Sequence, residues 1–91
     1  MSPGTESEHL NNHHRNTLRQ LFEEPVSHNI EWHAVLSLLA AVGSVAEHHD
    51  GTVTAKVGAH TEYLDPPPQK DIDPQMVADL RRLLAQAGFQ G

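Results

Sequence analysis

Residues 44–57 read SVAEHHDGTVTAKV, and the change of period inside this stretch decides the fold. Val53, Ala55 and Val57 alternate with Thr52, Thr54 and Lys56, which is the two-residue period of a strand. Asp50-Gly51 just before them is a strong hairpin signal, because both residues tolerate the backbone that tight turns require. The stretch therefore predicts a first strand over 45–49, a two-residue loop at Asp50-Gly51 and a second strand over 52–57. In that register His49 faces Thr52 and His48 faces Val53. His48 then shares a side with Ala46, Val53 and Ala55, and His49 shares the other with Glu47, Thr54 and Lys56.

Working outward, Gly58 opens the next turn and Thr61–Leu64 forms a third strand. A turn of Gly58, Ala59 and His60 would set Lys56 opposite Glu62 and Ala55 opposite Tyr63, both reasonable cross-strand pairs. Upstream, Trp32, Val35, Leu36, Leu39 and Val42 recur at helical spacing and predict a helix over 30–42. Asn29 or Ser27 can cap its start, and Gly43 suits a left-handed position after its end. Leu18, Leu21 and Phe22 predict a shorter helix over 16–23, stopped by Pro25. Residues 1–14 are polar, with one large apolar residue after the start, Leu10, and read as a disordered tail.

Downstream, residues 65–70 read DPPPQK and form a stiff linker that cannot continue a sheet ladder. Asp73 is the expected N-cap of a last helix, with Pro74 as its first residue. Val77, Leu80, Leu83, Leu84 and Ala87 form its apolar face. Gly88 ends it, and Phe89 folds back on Leu84 in a Schellman-type stop. The order is α-α-β-β-β-α: an α+β domain with a three-stranded antiparallel meander and helices on one face. The organisation is a tail over 1–14 and a single domain over 15–91, with an accessory helix over 15–24 and a core over 29–90.

Composition narrows the function classes. Twelve acidic residues face six basic ones, for a net charge of −6. Tight, non-specific nucleic-acid binding draws on a cationic surface, so the overall balance argues against it. The absence of cysteine removes disulfides, thiolate zinc sites and a thiol nucleophile. No apolar run approaches a membrane span, and the start lacks the pattern of a signal peptide. The expectation is a cytoplasmic protein with no membrane contact.

The segment from Trp32 to Phe89 resembles the HicA family of toxin-antitoxin toxins. Three stretches carry the likeness: the amphipathic helix ending at Gly43, the Gly51-Thr52-Val53 start of the second strand, and the proline-rich run followed by Lys70-Asp71-Ile72 and a helix ending Leu84-Ala85-Gln86-Ala87-Gly88-Phe89. The resemblance implies a fold like that of double-stranded-RNA-binding domains, a messenger-RNA-cleaving ribonuclease, and a neutralising antitoxin as partner. The family's Gly-Ser-His run carries its catalytic histidine. Here Val53 stands at that position and has no proton to exchange. A basic Pro-Arg-His-Pro segment of the family corresponds to Asp65-Pro66-Pro67-Pro68.

The candidate catalytic residues are therefore His48 and His49, one of which would have to act from across the turn. Strand alternation sends them to opposite faces, so they do not converge without a bulge. Lys70, Arg81 and Arg82 are the candidate contacts for RNA or an acidic partner. Trp32 and Tyr63 are candidates for base stacking, although their spacing suits the core. His49, His60 and Glu47 form a conceivable metal set, but no His-x-x-x-His pair occurs on a helix face, and neither metal nor cofactor is expected. Three functions follow: an RNA-contacting HicA-like domain with weak or absent ribonuclease activity, a catalytically inactive interaction or regulatory module, and a histidine-rich metal binder.

Overall fold

The structure, a computed structural model, describes residues 10–89. Its elements are α1 (Asn12–Leu21), α2 (Trp32–Val42), β1 (Ser44–Glu47), β2 (Val53–Val57), β3 (His60–Leu64) and α3 (Pro74–Gln86). The order is α-α-β-β-β-α, and the sheet is an antiparallel β1-β2-β3 meander.

The first helix begins inside the stretch read as tail. Asn11 caps it: its Oδ1 accepts the His14 N–H at 2.9 Å, and the Asn11 N–H donates to His14 Nδ1 at 3.4 Å. This is a capping box with histidine where glutamate or glutamine usually sits. Leu10, Leu18 and Leu21 join the same buried cluster as the sheet and the other helices. The helix read as accessory is thus part of the core, packed on α2 and α3. The rest of the expected tail, residues 1–9, lies outside the described residues.

The second helix starts at Trp32, two residues later than its periodicity suggests. Ile30 and Glu31 are drawn into an extended bridge with the segment before α3. Ile72 donates to the Ile30 carbonyl and Trp32 to the Lys70 carbonyl, each at 2.9 Å. Neither expected cap acts; Ser27 Oγ donates to Asn29 Oδ1 instead. Trp32, Val35, Leu38 and Leu39 are buried, while Leu36 and Val42 are half-buried.

Gly43 is not left-handed; its φ is −162°. Glycine is required there for a different reason. A Cβ at this position would lie 1.9 Å from the Lys56 carbonyl oxygen, so any side chain would force β1 away from β2.

Both hairpins differ by one residue from the sequence-based register. In the first, Glu47 pairs with Val53, and His48 donates to the Thr52 carbonyl at 2.9 Å. The loop therefore has three residues, His49, Asp50 and Gly51. A two-residue type I′ loop would need positive φ at both Asp50 and Gly51, and only Gly51 has it, at +93°. In the second hairpin the loop shrinks to Gly58-Ala59, with positive φ at Gly58 alone, and His60 pairs with Val57. Ala55 consequently faces Glu62, and Tyr63 faces Thr54.

A one-residue slip exchanges the faces of a strand. Val53, Ala55, Val57 and Leu64 point into the core beneath the helices. Among the described residues no element covers the other, free face, which carries Ser44, Ala46, His48, Lys56, Thr61 and Tyr63, all exposed.

The last helix matches its sequence signals at both ends. Asp73 Oδ1 accepts the Met76 N–H at 2.9 Å. At the other end Phe89 donates to the Leu84 carbonyl and Gly88 to the Ala85 carbonyl, the paired bonds of a Schellman stop, with Gly88 at φ +97°.

Candidate functional site

The hairpin tip is built by Asp50. Its Oδ1 accepts from the Thr52 hydroxyl at 2.7 Å and from the Thr52 N–H at 3.0 Å. These bonds, the hydroxyl's foremost, hold the Asp50 carboxyl below its ordinary value. The three-residue loop then carries His48 to the free face of the sheet, where Nε2 lies 2.6 Å from Thr54 Oγ1. This reverses the sequence-based placement of His48 beside Val53 and Ala55. His49 sits exposed in the loop, with no hydrogen-bond or ion-pair partner among the described residues. Val53, the position matching the family's histidine, is buried in the core at 2 % exposure. Among the described residues no group of three or more histidines and carboxylates is gathered as a metal site, and the set of Glu47, His49 and His60 is not assembled.

A Ser–His contact arises that sequence reasoning did not pick out. His14 Nε2 lies 2.7 Å from Ser37 Oγ, joining α1 to α2. The capping bond uses Nδ1 as an acceptor, so a neutral ring carries its proton on Nε2 and donates it to Ser37. A serine nucleophile needs the opposite polarity. The pair is a strut between helices. Nothing in the chain linked positions 14 and 37 before the packing of α1 was known.

The three candidate basic residues do not form one patch. Arg81 turns inward and clasps the end of α1: Nε donates to the Leu21 carbonyl, Nη2 to the Glu23 carbonyl and Nη1 to the Glu24 carboxylate. Arg82 bonds Asp79 at 2.9 Å along the same helix. Lys70 Nζ lies 3.6 Å from a Glu31 carboxylate oxygen. Each of the three is thus next to a carboxylate of this chain. Of the two aromatic candidates, Trp32 is buried, and Tyr63 is 77 % exposed on the free face.

A cleft lies where the proline run meets the start of α3. Its volume is about 310 Å³, and its walls include Pro66–Pro68, Asp65, Asp71, Asp73 and Met76. A shallower cleft of about 220 Å³ shares Asp65, Asp73 and Met76 with it and extends past Asp79 to Tyr63. Together they hold four aspartates and no lysine or arginine. Asp71 Oδ1 exposes less than 1 Å² and has no hydrogen-bond partner. The sequence held a signal for this site, the spacing of Asp65, Asp71, Asp73 and Asp79 around a proline run.

No protein-family model matches the chain, and no curated protein or solved structure matches it. Among the described residues no helix is long and apolar enough to cross a membrane.

Proposed function

We propose that this chain is a HicA-like interaction domain that binds a protein partner in the cytoplasm and does not cleave RNA. The observation that carries this reading is the disposition of charge. Lys70, Arg81 and Arg82 are engaged with Glu31, Glu24 and Asp79. Phosphate contact at those positions would first have to break an ion pair, and in the case of Arg81 a clasp that holds a helix. Burial of Val53 and the separation of His48 from His49 also support it. A HicA-like chain of this kind would keep the family's protein-binding role, with an antitoxin-like or regulatory partner, and lose its chemistry.

The test is expression of the intact chain with measurement of growth and of messenger-RNA integrity. The expected result is unchanged growth and intact RNA. RNA cleavage that disappears in His48→Ala or His49→Ala would overturn the reading.

One observation favours a second reading, RNA contact without cleavage. Tyr63, Lys56 and His48 are all exposed on the free sheet face, where an aromatic ring can stack on an unpaired base. A gel-shift titration at low salt separates the two. Retardation of single-stranded RNA that is lost in Tyr63→Ala would favour RNA contact, and no retardation would remove it.

A further inference from the structure

We propose that Asp50-Gly51 is a site of spontaneous isoaspartate formation, and that Thr52 is the residue that keeps the reaction slow. The chemistry belongs to the hairpin tip and is independent of any bound partner.

The reaction needs no enzyme. The Gly51 amide nitrogen attacks Cγ of a protonated Asp50 carboxyl. The N–H proton and the carboxyl's hydroxyl leave as water, and a five-membered succinimide closes. Water then reopens the ring. Opening at the side-chain carbonyl restores aspartate. Opening at the main-chain carbonyl leaves Gly51 linked through Cγ, which is isoaspartate. Nothing is oxidised or reduced, and water is the only other reactant.

The sequence singles out this position. Asp50 is followed by glycine, which puts no side chain in the way of the attack. Asp65 and Asp73 precede prolines, which have no N–H to lose. Asp71 and Asp79 precede Ile72 and Leu80, whose side chains crowd the approach. Asp50 and Gly51 are both exposed, so water reaches the ring at every step.

The folded loop holds both reacting groups in other bonds. Asp50 Oδ1 accepts the Thr52 hydroxyl at 2.7 Å and the Thr52 N–H at 3.0 Å. Two donors on one oxygen favour the ionised carboxylate, which has no hydroxyl to release. The lowered Asp50 carboxyl agrees with this. The attacking nitrogen is engaged as well, since the Gly51 N–H donates to the His48 carbonyl at 3.0 Å. The succinimide nitrogen carries no hydrogen, so ring closure must break that bond. It must also turn the Asp50 carboxyl away from Thr52.

Conversion would reach beyond Asp50. Isoaspartate routes the main chain through the side-chain carboxyl, so the loop gains one backbone atom and Thr52 loses its acceptor. The loop closed by the bond from His48 N–H to the Thr52 carbonyl, which sets His48 on the free face, would no longer fit.

The experiment incubates the full chain in neutral buffer for weeks and reads isoaspartate at each aspartate by electron-transfer fragmentation in a mass spectrometer. Isoaspartate should form at Asp50 ahead of every other aspartate. It should form more slowly in the folded chain than in the same chain unfolded in guanidinium chloride. Thr52→Val should raise the folded rate about threefold, the scale of one hydrogen bond that water partly replaces. Thr52→Ser keeps the hydroxyl and should match the parent. Thr54→Val, which removes the hydroxyl beside His48 and leaves Asp50 its donors, should also match the parent. Equal rates in the folded and unfolded parent would overturn the protection. An unchanged rate in Thr52→Val would overturn the role of Thr52. Equal acceleration by Thr52→Val and Thr54→Val would assign the effect to a loosened hairpin and overturn that role too. Isoaspartate appearing first at another aspartate would overturn the site.

Discussion

Two regions that meet on α3 treat charge in opposite ways. On one side Arg81 is satisfied three times over, by the carbonyls of Leu21 and Glu23 and by the Glu24 carboxylate, and α1 is fastened as a result. On the other, Asp65 and Asp71 sit at the edge of a cleft with no cationic partner among the described residues. The first region uses its charge to complete the fold, and in the second Asp65 and Asp71 hold charge that no hydrogen bond or ion pair among the described residues uses. A group that is fully bonded at home is a poor contact for a ligand, because binding must first undo what holds it.

The contrast is broken most directly at the clasp. Arg81→Ala leaves two carbonyls without their donor and frees the end of α1. Glu24 is 72 % exposed, so its ion pair adds little and the carbonyl bonds dominate. The expected loss is about 2–3 kcal/mol in a denaturant titration. Arg81→Lys restores the charge but not the fork, and should recover less than half of it. Full recovery by lysine would show that charge alone matters there.

Asp73 stands between the two regimes, a cap on one oxygen and a wall of the cleft. Asp73→Ala should cost about 1 kcal/mol, the usual worth of an N-cap. Asp73→Asn keeps an acceptor and should cost less than half of that. Equal losses would mean that the carboxylate, rather than the cap bond, stabilises α3.

Asp71→Asn sharpens the comparison from the cleft side. It breaks no hydrogen bond, so its stability should stay within about 0.5 kcal/mol of the parent in the same titration.

The smallest expected effect lies at the hairpin tip. Asp50 is held below its ordinary value of 3.8 by the hydroxyl and N–H of Thr52. A depressed carboxylate adds stability above its unfolded value, and that contribution is lost as pH falls through the folded one. An NMR titration should place the Asp50 midpoint below 3.8, and Thr52→Val should move it upward. An unchanged midpoint in the variant would remove the hydroxyl as the main cause.

Most of the fold was legible because it rests on periodicity and on caps written in local sequence. The stop at Gly88-Phe89 and the start at Asp73-Pro74 lie where their residues say. The misses come from contacts that local sequence does not display. The capping box of α1 uses His14, which hid a helix start inside a polar stretch. Gly43 is needed for the approach of Lys56, a residue thirteen positions away that helix-end statistics do not consider. Each hairpin register turned on which residue takes positive φ, and that choice moved His48 and Tyr63 to the free face. The site was harder to read for the same reason. Arg81, Arg82 and Lys70 are close in sequence, but their partners, including Leu21 and Glu31, are brought to them by the packing of α1 and α2.

The central claim is the proposal that this domain works by binding a protein and does not cleave RNA. Incubation of the purified chain with an end-labelled single-stranded RNA, read on a denaturing gel, tests this directly. The expected result is full-length RNA at every protein concentration. Cleavage that disappears in His48→Ala or His49→Ala would contradict the account.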